Sequence, residues 1–187
     1  MIRPVIGTVA ARVMITLANL LLVALAGRHL GAEGLGTISL LVLGITFILI
    51  LAHVVGGGGL VYLVPRLGVG ATLAPAYAWA VLSTLVALAA TSLLPLAPEG
   101  LALHMVLLAF LQALNSIHLN ILVGRERFGL QNTILVVQSA VQLILFALLL
   151  ALNGASMMDY VIASYGAHGM TVALSGWFVW RGPLNGF

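Results

Sequence analysis

Arg12 is the side chain whose chemistry asks for an explanation first. It stands in the body of an apolar run, with Thr8, Thr16 and Asn19 at spacings of four, four and three residues. At about 100° per residue, a helix holds these four within an arc of roughly 80°, a single polar stripe with a cation in it. Arg12 lies about 10–12 Å along that helix from its start, and placing an arginine at mid-membrane costs around 2.5–3.5 kcal/mol on insertion scales. A cost of that size is sustained where a function requires it. The competing reading is snorkelling, in which the long side chain reaches back to the headgroups. Because Arg12 shares its face with three polar residues, the inward-pointing reading is preferred. A guanidinium so placed suits a phosphate or pyrophosphate, which it engages through paired hydrogen bonds.

Other polar residues repeat the pattern. Gln131, Gln138 and Gln142 share one helical face, and Ser164, His168, Thr171 and Ser175 another, each within an arc of roughly 60°. Ser39, Thr46 and His53 recur at sevenfold spacing, and Gln112, Asn115, Ser116 and Asn120 cover a broader face. Singly, such residues are interhelical glue, worth about 0.6 kcal/mol each on average. Stripes on five helices point instead to a shared hydrated cavity, with Arg12, Thr8, Thr16, Asn19, Gln138 and Gln142 as the substrate-binding set. Gly56, Gly57, Gly58 and Gly59 interrupt one of these helices, each costing about 0.8–1 kcal/mol relative to alanine. They form a hinge, or else they let helices pack closely. No two histidines have the short spacing of a helical metal site, so His53, His104, His118 and His168 read as satisfied polar residues. Neither a metal nor a cofactor is expected.

The elements that carry these residues follow from composition. Of 187 residues, 63% are apolar and 6% charged, with a mean hydropathy of +1.23. Globular chains carry roughly 25% charged residues, so a soluble domain is excluded. The seven arginines, unaccompanied by lysine, are scattered between apolar runs and make no nucleic-acid patch. The absence of cysteine removes disulfides, cysteine-based zinc sites and thiol catalysis. A bilayer core of about 30 Å needs about 20 apolar residues per helix. Six runs qualify: residues 5–26, 37–64, 71–96, 101–123, 130–152 and 159–180. The fold class expected is therefore all-α, a polytopic membrane bundle of six transmembrane helices forming a single domain over residues 1–187.

Charge sets the orientation. With both termini cytoplasmic, Arg3, Arg66, Arg125, Arg127 and Arg181 lie inside, and only Arg28 falls in an outer loop beside Glu33, Glu99 and Asp159. Trp177 and Trp180, next to Arg181, fit an interfacial belt at the cytoplasmic end. A cleaved signal ending near Ala24-Leu25-Ala26 is disfavoured by the length of the run and by Arg12 and Asn19 within it.

Two families share features with these residues. Ser156 in Gly154-Ala155-Ser156-Met157, with His168 downstream, faintly resembles intramembrane serine proteases of the rhomboid type. Met157 replaces the final glycine of their motif and Ser156 falls in a loop, so no enzyme is expected. The stretch from Leu25 to Leu40, with Leu30-Gly31-Ala32-Glu33-Gly34-Leu35-Gly36 at its centre, resembles the first connection of bacterial polysaccharide flippases of the O-antigen type. The glycine bend followed by Leu60, Val61 and Arg66, and Gly124-Arg125-Glu126-Arg127-Phe128 followed by Asn132, are similar to two further segments of that family. It belongs with multidrug and toxic compound extrusion antiporters and lipid II flippases. The resemblance implies a bacterial inner-membrane protein in which two six-helix lobes alternate access around a cationic cavity, carrying lipid-diphosphate-linked oligosaccharide. It implies that Arg12 is the cavity's basic residue in the first helix. Leu35 stands where the family often has an aromatic, and the chain matches one N-terminal lobe of a family with about twelve to fourteen helices. A truncated gene, a fragment and a half-transporter that dimerises or pairs with a second lobe all fit. Membrane lipids and the lipid-linked oligosaccharide are the partners implied. An ion-coupled multidrug antiporter lobe and a non-catalytic membrane scaffold are the alternatives.

Overall fold

The computed structural model describes residues 2–94, 97–154 and 156–181; the side chains of residues 2–6 and 153 lie outside that description, so Arg3 cannot be placed as an orientation marker. Among the described residues the protein is all α, with no strand. The helices are α1 (Ile2–Gly56), α2 (Gly59–Leu67), α3 (Val69–Leu93), α4 (Ala102–Gly124), α5 (Phe128–Asn153) and α6 (Met157–Trp180). As α1 and α2 run on as one stretch, five helical stretches result. Four are long and apolar enough to cross a membrane: Gly7–Leu67, Val69–Leu93, Ala102–Gly124 and Phe128–Leu152. α6 is long enough but less apolar, because Asp159, Ser164, His168, Thr171 and Ser175 dilute it.

The loop expected at residues 27–34 is helical apart from one residue, which corrects the first connection. Arg28, Leu30, Ala32 and Glu33 all favour the helix, and only Gly31 leaves it, at φ 70° and ψ −170°. That region is open essentially to glycine alone. The 61 residues from Gly7 to Leu67 make a path of about 90 Å at 1.5 Å per residue, roughly three times a hydrocarbon core.

The chain divides into two compact units. The first combines Met1–Leu40 with Phe128–Thr171. Here α1 buries Ala11 and Leu22 and half-buries Ile15 and Ala18, a narrow face at spacings of four, three and four. Phe146 of α5 is fully buried and meets Tyr160 of α6 edge-on, ring centroids 5.7 Å apart. α6 opens on a reciprocal cap: the Ser156 hydroxyl accepts from Met158 N–H at 3.1 Å, and Asp159 Oδ2 accepts from Ser156 N–H at 2.8 Å.

The second unit combines Leu41–Arg127 with Val172–Phe187. α4 is its most enclosed helix, with 56% of its most apolar window buried. α1 turns Leu41, Ile45, Ile48 and Ala52 inward, and glycines set the approach of its backbone to α4. A Cβ at Gly44 would overlap the Met105 sulfur, and one at Gly56 would come within 2.9 Å of Ile117 Cγ1. Gly124 of α4 likewise lies against Val61 and Val64 of α2. In lipid, where leucine gains nothing by leaving the solvent, such close approach through small residues is what holds helices together. The outward surface is correspondingly apolar, with Phe47, Val54 and Leu93 at 65%, 70% and 81% exposure.

Candidate functional site

All six residues expected to bind substrate lie in the first unit, but not on one face. Thr8 is half-buried, and its hydroxyl accepts a hydrogen bond from Asn132 Nδ2 of α5 at 2.9 Å. Gln142 donates to Ser164 of α6 at 3.1 Å, and that hydroxyl donates to Tyr160 O at 2.8 Å. Gln138 is half-buried. Arg12, Thr16 and Asn19 are exposed, so the expectation that Arg12 points into the bundle is corrected. The reason is geometric: Ala11 and Leu22 centre the packed face, and the polar stripe begins at its border with Thr8 and turns away from it. Beside Thr8, a cleft of about 450 Å³ opens between α1 and α5. Small and apolar residues, Gly7, Ala10, Ala11 and Val136 among them, make up most of its lining, and none of the six lines it.

The four glycines separate by role. Gly56 closes α1, Gly59 opens α2, and the helix is interrupted at Gly57 and Gly58. Leu60 N–H bonds Gly57 O at 3.1 Å instead of continuing the ladder to Gly56 O. That carbonyl is taken by Asn120 Nδ2 of α4, at 3.1 Å. The break is thus stitched to α4 by the broad polar face noted there. A Cβ at Gly57 would overlap His53 O, whereas Gly58 and Gly59 have open space around them.

A second polar cluster, in the second unit, is bonded throughout. His118 of α4 is 4% exposed; its Nε2 meets Tyr77 Oη of α3 at 2.6 Å and its Nδ1 meets Ser175 Oγ of α6 at 2.9 Å. Ser175 donates its only hydroxyl proton to Val172 O at 3.3 Å. With the proton so placed, the Ser175 oxygen accepts from His118 Nδ1–H and Nε2 accepts from the Tyr77 hydroxyl. Sequence spacing singled out His118 as a satisfied polar residue but missed Tyr77. The available signal was a lone tyrosine in an apolar helix, whose hydroxyl must find a partner. In the first unit His168 is buried too, and its Nδ1 has no hydrogen-bond partner among the described residues.

At the end of α4, Arg125 is buried, and its Nη1 donates to Val179 O in the last turn of α6 at 3.1 Å. Burial first, and the neighbouring charge of Arg127 second, push the Arg125 guanidinium below its usual range. A cation at a helix C-terminus complements the helix dipole. Comparison with protein families, curated proteins and solved structures finds no match to this chain.

Proposed function

We propose that the chain is a lobe of a multi-span membrane transporter that moves lipid-diphosphate-linked oligosaccharide across a bacterial inner membrane in polysaccharide biosynthesis. The carrying observation is the exposed stripe of Arg12, Thr16 and Asn19 on a stretch otherwise presenting Val9, Val13, Leu17 and Leu20. Facing lipid, the guanidinium would bear the whole insertion cost. Facing a water-filled path beside a second six-helix body, it would not. Arg12 then pairs with the diphosphate, Thr16 and Asn19 hydrate the path, and Gly58 and Gly59 let the lobe flex. On this reading the kink at Gly31 separates two spans within the long first stretch, and α6, whose polar face is buried, is a further span. The arginine distribution supports placing both termini of such a six-span lobe in the cytoplasm. An ion-coupled antiporter needs a carboxylate free to titrate within a span. Of the four acids only Asp159 is buried, and its Oδ2 is engaged at the start of α6.

The chain contains no cysteine, so single cysteines can be introduced directly. A membrane-impermeant thiol reagent should label positions 16 and 19 and spare 9 and 17. Arg12→Ala should abolish rescue of a flippase-deficient strain, with Arg12→Lys retaining part of it. Full complementation by Arg12→Ala at normal expression, or silence at both 16 and 19, would refute the reading and leave a scaffold with dispensable stripes.

A further inference from the structure

The geometry points to a headgroup-binding rim on the second unit, where exposed arginines and aromatic rings hold anionic phospholipid. Two contacts bring the parts together. Gly124 packs against Val61 and Val64, setting the last turn of α2 beside the end of α4. Arg125 bonds Val179 O, setting the last turn of α6 beside the same end. Arg66, Arg127 and Arg181 therefore emerge at one end of the unit, and all three are exposed. Two are braced on aromatic faces: Arg66 lies 3.7 Å from the centroid of Tyr62, and Arg181 lies 3.5 Å from that of Trp177. Such stacking orders a guanidinium while leaving its N–H edge free for an anion.

Charge decides the partner. Glu126 is the one acid in this turn, against three exposed arginines and the buried Arg125. Arg125 already donates to Val179 O, so it is the staple of the rim rather than a lipid ligand. Arginine beside tryptophan and tyrosine at the ends of apolar helices is suited to the headgroup level of a bilayer, where phosphates lie over apolar chains. This inference does not depend on the transport reading, because the rim is built from different residues from the Arg12 stripe.

The test uses the full chain in phosphatidylcholine bilayers containing increasing brominated phosphatidylglycerol, read by quenching of tryptophan fluorescence. Two of the three tryptophans, Trp177 and Trp180, lie at the rim. The protein should prefer phosphatidylglycerol to brominated phosphatidylcholine by at least about fivefold, the effect of one arginine near an anionic surface. Arg66→Gln, Arg127→Gln and Arg181→Gln combined should bring the ratio close to one, while Arg28→Gln leaves it unchanged. The wild-type preference should also fall as salt is raised, an arm that needs no variant. Equal quenching by both lipids, a salt-independent preference, or a preference retained by a helical and monodisperse triple variant would each overturn the proposal. So would abolition of the preference by millimolar inorganic phosphate, which would make the site one for a free anion.

Discussion

Removing the Tyr77 hydroxyl tests the reasoning applied to the buried histidine. Tyr77→Phe keeps the ring and its edge-on contact with His118, now 5.8 Å between centroids, so packing changes little. What disappears is the hydrogen bond with the Trp180 side chain and the 2.6 Å bond to Nε2, the second leaving a bare lone pair on a side chain that is 4% exposed. A buried unsatisfied group costs about 1–3 kcal/mol, while hydrogen bonds between membrane helices average about 0.6 and reach about 1.7 kcal/mol. A short bond to an enclosed acceptor belongs near the upper end, so a loss of about 1.5 kcal/mol is expected. His118→Leu removes both imidazole bonds at once, and the double variant should then cost about 1 kcal/mol less than the sum of the two. Reversible unfolding in mixed micelles, followed by helical circular dichroism, gives the cycle. A coupling energy below about 0.3 kcal/mol, the scatter of independent sites, would refute the bond.

The glycine break yields a second prediction: Gly58→Ala and Gly59→Ala should fold normally, since nothing crowds a Cβ at either position, whereas Gly56→Ala must displace Ile117. Loss of complementation with retained thermal stability in the first pair would support a hinge, and full activity in both would remove it. In the turn after α4, Glu126 sits at φ 58° between Arg127 N–H to Leu122 O and Glu126 N–H to Val123 O, the geometry of a glycine-terminated helix. Glu126→Gly should therefore raise stability by about 1 kcal/mol in the same unfolding assay, and a decrease would contradict the strain.

Helices were legible in the sequence because their cause is local. The runs at 71–96, 101–123 and 130–152 depart from α3, α4 and α5 by about two residues wherever both ends are described, as hydrophobic length alone dictates. The four-glycine interruption was legible for the same reason, although which glycine bends and which packs needed neighbours. Direction was not legible. The stripe through Arg12 shows that polar residues share a face, but not on which side the rest of the protein lies. In lipid the indicator of contact is small size: Ala11, Ala26, Gly44, Gly56 and Gly124 meet the protein, while Leu17, Leu20 and Leu21 stand outside. Segment 27–34 was misread because glycine and charge there suggested a loop, when only Gly31 departs from the helix.

The order of synthesis gives the bonds of α4 a timetable. His118 waits 57 residues for Ser175, and Arg125 waits 54 for Val179. At about 5–20 residues per second, that is roughly 3–11 seconds during which a buried imidazole and a buried guanidinium have no partner from α6. During this interval the second unit cannot be complete, however well α1 to α4 have inserted. A chain halted before α6 would lack the Ser175 and Val179 bonds that tie α4 to the last helix, so the closing of the second unit is set by the last segment to be made.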